Sequence, residues 1–134
     1  MADTIKTASL TKYYGKARGI INLDLTVQEG DFFGFIGPNG AGKSTTIRTL
    51  LGLLAPTGGT AEIFGKDVSS HRTELLADIG YMPSEASFYR NRRVREIIKL
   101  SADLRGAGHE KDCAAEAARL CERLELDTAK KISE

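Results

Sequence analysis

The 134-residue chain is 41% hydrophobic and 28% charged, which is enough apolar sequence for one core of ordinary domain size. Its 19 basic and 18 acidic residues leave a net charge of +1, so no global field favours nucleic acid or an anionic membrane. No apolar run approaches the roughly 18 residues of a membrane span, and the polar start Met1-Ala2-Asp3-Thr4 lacks the apolar stretch of a signal peptide, which points to the cytosol.

Taken in order, Ile5 to Tyr14 reads as a loose strand. Ile20 to Val27 is a clearer one, with Ile21, Leu23, Leu25 and Val27 alternating against Asn22, Asp24 and Thr26. Glu29-Gly30-Asp31 then turns the chain into Asp31-Phe32-Phe33-Gly34-Phe35-Ile36, a short apolar and aromatic run of buried-strand type.

The next stretch carries the chemistry. Gly37-Pro38-Asn39-Gly40-Ala41-Gly42-Lys43-Ser44-Thr45 satisfies every fixed position of G-x-x-x-x-G-K-[ST]. A loop whose backbone N–H groups all turn inward on a polyphosphate needs glycines, because side chains block the approach and some positions require positive φ. A helix beginning near Gly42 or Lys43 aims its unpaired N–H groups and the positive end of its dipole at the anion. Lys43 reaches the outer phosphates and the Ser44 hydroxyl is offered to Mg²⁺, while contacts extend through Thr45 and Thr46. Thr46 to Leu54 supplies that helix, with Ile47, Leu50, Leu51 and Leu54 at helical spacing. Strand, glycine loop and helix form the context the pattern needs.

Leu10-Thr11-Lys12-Tyr13-Tyr14-Gly15, followed by Glu29-Gly30-Asp31 and the loop from Gly37 to Thr45, resembles the nucleotide-binding subunit of ATP-binding cassette (ABC) transporters. The resemblance runs from about Thr4 to the end of the chain. It implies that Tyr14, the aromatic before the glycine, stacks on adenine, an interaction of about 1–3 kcal/mol that needs no hydrogen-bond readout. The competing reading of Tyr14 is a strand-end aromatic covering the core edge; Tyr13, facing the other way, is its structural partner.

Beyond the helix, Pro56 and Gly58-Gly59 are read as the stop and turn. Thr60 to Phe64 returns as a strand before a polar loop from Gly65 to Arg72. His71 in that loop and His109 further on have no ligand spacing to another His or Cys and read as solvated residues. Asp78-Ile79-Gly80-Tyr81-Met82-Pro83 reads as a further strand. The resemblance places the glutamine loop here, but Ser84 stands where the family has glutamine, with Glu85 beside it as a substitute oxygen donor for the metal.

Arg90-Asn91-Arg92-Arg93-Val94-Arg95 is the one strong charge cluster. It suits a solvated helix start, a docking surface for a membrane subunit as in the family, or, least well, a nucleic-acid patch, since aromatics do not interleave with it. Val94 to Leu104 reads as a helix with Val94, Ile97, Ile98 and Leu104 on one face, broken by Gly106 and Gly108. Glu110 to Leu126 reads as a second, with Cys113, Ala117, Leu120, Cys121 and Leu124 on an apolar stripe. The two cysteines, about 12 Å apart along such a helix, are too distant for a disulfide and read as small core-facing residues.

The expectation is an α/β phosphate-loop NTPase fold of ABC cassette type: an N-terminal antiparallel β portion and phosphate-loop core over about 1–82, then the glutamine-loop region and a small helical subdomain over about 83–134. The resemblance implies an ATP- and Mg²⁺-binding subunit, ATP-hydrolysing in the parent protein. It also implies a second cassette subunit, a transmembrane permease partner, and a cytoplasmic place peripheral to the membrane. The signature motif, the acidic strand, the catalytic glutamate and the switch histidine of the family have no counterpart in these 134 residues. The chain therefore reads as the N-terminal part of a cassette, with no catalytic residue of its own and no turnover alone. A non-transport cassette ATPase, or a module that binds nucleotide without turnover, are the alternatives. The absence of an Asn-Lys-x-Asp segment argues against a GTPase.

Overall fold

The computed structural model describes residues 2–105 and 110–132, which divide into two units, Met1–Gly80 and Tyr81–Glu134. In the first, β1 (Asp3–Tyr14) and β2 (Ala17–Gln28) form a long antiparallel hairpin. α1 (Lys43–Leu50) follows the glycine loop, β3 (Gly58–Ile63) pairs back onto β1, and the two-residue β4 (Lys66–Asp67) and α2 (Arg72–Asp78) complete the unit. The sheet is antiparallel throughout, in the order β2-β1-β3-β4.

Two bulges set which side chains enter the core. Ser9 and Asn22 both have φ of 47°, and each adds one residue to its strand opposite a shorter partner stretch. Thr7 and Leu10, three residues apart, are consequently both buried. In β2 the inward face runs Ile20, Leu23, Leu25, Val27, so Ile20 is buried and Ile21 is exposed, which corrects the simple alternation expected from Ile21 onward. The bulges are held by side chains: Asp24 Oδ1 accepts from the Ser9 N–H at 2.6 Å, and Thr11 Oγ1 accepts from the Asn22 N–H at 3.0 Å. The core comprises Leu10, Ile20, Ala61, Ile63, Val68 and Leu75, with Ile5, Leu23, Leu50 and Ile79 packed around it.

α1 ends earlier than the sequence suggests. Gly52, at φ 66°, donates its N–H to Thr49 O, and Leu53 donates to Arg48 O; this pairing closes the helix at Leu50, ahead of Pro56. Its buried face also differs from the apolar stripe expected. Thr46 and Thr49 are buried while Ile47 is 40% exposed. The threonines are tolerated inside because their hydroxyls donate back to Gly42 O and Thr45 O at 2.9 and 2.8 Å.

Two segments expected as strands belong to no sheet: residues 31–36 and 79–83 join no ladder among the described residues, Asp78 closes α2 instead, and a strand exists only through its hydrogen-bonded neighbour. Phe32 and Ile36 are correspondingly fully or almost fully exposed. The polar stretch after Gly65, expected as a loop, contains β4 and opens α2. Between them the Asp67 carboxylate accepts from the Ser69 and Ser70 N–H groups and from Ser70 Oγ. These bonds, the Ser70 hydroxyl foremost, hold the Asp67 carboxyl below its ordinary value of 3.8. The turn's contribution to stability is therefore present above that value and is lost as the pH falls through the lowered one. An acid titration of this turn followed by the Ser70 amide resonance checks that order.

In the second unit, α3 (Val94–Leu104) and α4 (Glu110–Arg123) are present, while Gly106, Gly108 and His109 lie outside the described residues. Glu96 Oε2 accepts from the Arg93 N–H at 2.6 Å and closes the start of α3. Residues 128–132 run back along this turn: Val94 and Arg95 donate their N–H groups to Lys130 O and Thr128 O, and Ile132 donates to Arg92 O. No residue of α3 is fully buried, and Leu100 and Leu104 are exposed. Cys113 is exposed and Cys121 half-buried, both as free thiols, so the expectation of two core-facing cysteines is corrected at Cys113.

Candidate nucleotide site

The loop between Ile36 and α1 is built by its glycines. Gly40 and Gly42 sit at φ 82° and 99°, and Ala41 donates its N–H to Pro38 O at 3.1 Å to close the turn. Gly42 is the N-cap of α1 and no side chain caps that end, so the N–H groups of Lys43, Ser44 and Thr45 precede the first intrahelical bond, Thr46 to Gly42 O at 2.8 Å. Gly42 is required twice, by its φ and by space: a Cβ there would lie 2.7 Å from Gly19 O and from Ile20 Cγ2. The loop is thereby seated directly on β2.

Lys43 folds back over the loop, with its Nζ donating to Gly37 O and, at 2.8 Å, to Pro38 O. An ammonium has three donors, so one remains for a ligand. Thr46 contributes no free donor, since its N–H and hydroxyl both go to Gly42 O.

Tyr14 stands across from this loop. Its hydroxyl lies 3.3 Å from Thr45 Oγ1, and with Asn39, Gly40, Gly42, Lys43, Ser44 and Thr45 it lines a cavity of about 320 Å³. Tyr13 does not line that cavity; its backbone N–H is bonded to Thr57 Oγ1 at 3.0 Å. Arg18 and Gly19, near the start of β2, complete the lining. The loop motif gave no signal for Arg18; its place follows from the hairpin register, which sets it opposite Tyr13. Among the described residues its guanidinium has no ion pair or side-chain hydrogen bond.

For a divalent cation, the described residues hold no cluster of three or more His, Cys, Asp or Glu. The Ser44 hydroxyl on the cavity wall is a single hard oxygen donor. That set fits Mg²⁺, which binds through few protein oxygens and takes the rest of its shell from phosphate and water.

The sequence profile described as ABC transporter matches residues 20–133. The chain belongs to the ABC transporter family. It is 42% identical over 120 residues to the bacitracin transport ATP-binding protein BcrA of Bacillus licheniformis, an alignment covering 90% of this chain and 39% of that protein. It is 56% identical over 66 residues to the daunorubicin/doxorubicin resistance ATP-binding protein DrrA of Streptomyces peucetius, covering 49% of this chain and 20% of that one. A solved ATP-binding subunit of an ABC transporter superposes with a TM-score of 0.77 at 26% identity, over 96% of this chain and 54% of the other. The fold is that of the ABC cassette, an α/β phosphate-loop NTPase, and the chain spans about two-fifths of the BcrA length.

The remaining positions singled out in this ABC sequence lie in the second unit. Ser84 and Glu85 are exposed. The arginine cluster is partly committed to its own helix start: Arg92 pairs with Glu96 at 3.7 Å, and an Arg93 Nη donates to Ala129 O at 3.1 Å. Tyr89 and Phe88 beside it are 70% and 55% exposed. No helix among the described residues is long and apolar enough to cross a membrane.

Proposed function

We propose that this chain binds MgATP in the cavity between Tyr14 and the Gly37–Thr45 loop, as the nucleotide-binding part of an ABC transporter. The observation that supports this most directly is the pairing of an exposed aromatic on one wall with an uncapped helix N-terminus on the other. An aromatic face accepts a base, and the N–H groups of residues 43–45 bind a phosphate. In this reading Gly37, Pro38, Asn39, Gly40, Ala41 and Gly42 shape the cradle, Lys43 and Thr45 contact the phosphates, and Tyr14 stacks on adenine. Ser44 holds Mg²⁺, which neutralises phosphate charge when bound. Thr46 serves the loop by anchoring Gly42. Arg18 adds a second cation at the rim.

Tyr14→Ala is expected to weaken ATP and ADP binding alike, by roughly tenfold, and to leave inorganic tripolyphosphate unaffected, since only the base is lost. Calorimetry with the three ligands checks this. If Tyr13→Ala gives the larger loss, the two tyrosines exchange roles.

Hydrolysis belongs to the parent assembly in this reading. No residue of the cradle is a general base, and losing water positioning removes several kcal/mol, each 1.36 kcal/mol being tenfold in rate. Phosphate release by the 134-residue chain is therefore expected at background. Saturable release that Lys43→Ala abolishes would place the chemistry on Glu85 or another residue of this chain. A second cassette subunit and a membrane permease are the proposed partners, at the cytoplasmic face. Co-purification of a membrane-spanning subunit supports this; a ribosome or DNA partner in its place would favour a non-transport cassette.

A further inference from the structure

We propose that Lys12 is a positioning residue of the nucleotide site, whose ammonium holds the Tyr14 ring in the plane on which a purine stacks. The inference rests on the stacking role of Tyr14 given above. Lys12 Nζ lies 5.6 Å from the centroid of the Tyr14 ring, within the distance at which a cation is attracted to a π face. The same ammonium donates to Ala55 O at 2.7 Å, a carbonyl 43 residues further along the chain, in the connection between α1 and β3. A lysine at a strand end ordinarily swings through solvent; this one is pinned at its tip, so the cation stays over the ring.

Tyr14 lines the cavity together with the phosphate loop, and Lys12 is not among the lining residues, so the ammonium supports the ring without occupying the cavity. Two other contacts locate the same ring. Its hydroxyl meets Thr45 Oγ1, and its edge passes over Gly19, where a Cβ would stand 3.2 Å from Cε2. Tyr14 is nevertheless 46% exposed, so without these restraints its χ1 freedom would have to be lost when nucleotide binds. Lys12 removes part of that cost in advance, which is how preorganisation raises affinity.

The test is calorimetric titration of the 134-residue chain with ATP and with inorganic tripolyphosphate. Lys12→Met keeps the apolar stem and removes the cation. It is expected to weaken ATP binding about two- to fivefold, the range of an exposed cation–π contact, and to leave tripolyphosphate affinity unchanged. That unchanged affinity also reports an intact cradle. Lys12→Arg is expected to restore ATP binding, and Lys12→Met introduced into Tyr14→Ala is expected to add no further loss. Equal losses for the two ligands would overturn the proposal, because Lys12 would then act through overall charge or through the Ala55 turn. Additive losses in the double variant would overturn it too. If Tyr14→Ala alone leaves ATP affinity unchanged, it is the stacking role that fails, and with it the premise of the inference.

Discussion

Gly59→Ala is expected to lower the stability of the first unit by about 3–5 kcal/mol, from the sum of a left-handed backbone strain and an overpacked contact. Gly59 has φ of 74°, and a Cβ at this position would lie 2.2 Å from Ser9 O and 2.5 Å from Ala8 O. Those atoms are backbone of the β1 bulge and cannot step aside as a flexible side chain could. β3 crosses β1 at this point, with Thr60 opposite Ala8 and Gly58 opposite Thr11, so any retreat disturbs the register that buries Thr7, Leu10 and Ala61. Gly65→Ala is the internal control. Gly65 has nearly the same φ, 72°, but nothing within 4 Å of its Cβ position, so it reports the backbone term alone, about 1 kcal/mol. Urea unfolding followed by circular dichroism measures both. Equal losses in the two variants would show that the close approach to Ser9 carries no energy.

Lys43→Ala is expected to weaken ATP binding roughly tenfold to a hundredfold, the loss of one charge-assisted contact of about 1.5–3 kcal/mol. The structure adds a second expectation. Lys43 is bonded to Gly37 O and Pro38 O within its own loop, so it also neutralises two carbonyls beside the phosphate cradle. Removing it leaves those oxygens uncompensated next to an anion, and Lys43→Arg is then not conservative. A planar guanidinium lacks the compact three-way donor geometry that serves two carbonyls and a phosphate together. Calorimetry is expected to rank the wild type well above both Lys43→Arg and Lys43→Ala, with thermal melting little changed. Unchanged ATP affinity in Lys43→Ala would sink the phosphate-cradle assignment.

The division between what the sequence determined and what tertiary structure decided follows the range of the interactions involved. The glycine loop was legible because its requirements are local: positive φ at Gly40 and Gly42, a lysine and a hydroxyl at fixed spacing, and a helix directly after. The strands β1 and β2 and most of β3 were legible for the same reason, as short apolar runs bounded by turns, but Gly58-Gly59, expected as the turn, lies inside β3, because its pairing with β1 extends the strand over the two glycines. The phase of those strands was not legible, because a bulge at Ser9 or Asn22 leaves no mark on hydrophobic pattern, yet each exchanges the buried and exposed faces beyond it. The threonine face of α1 was hidden likewise, since a hydroxyl looks polar until its back-bond to the preceding turn is seen. Residues 31–36 read as a strand from their apolar run, but strandedness is a property of a pair, and sequence cannot supply the partner. The candidate site shows the same boundary. Its phosphate half is one continuous stretch. Its base half is assembled across the fold: Tyr14 meets Thr45 over 31 residues at the cavity, and Lys12, outside the cavity lining, is bonded to Ala55 over 43, contacts that only the folded sheet creates.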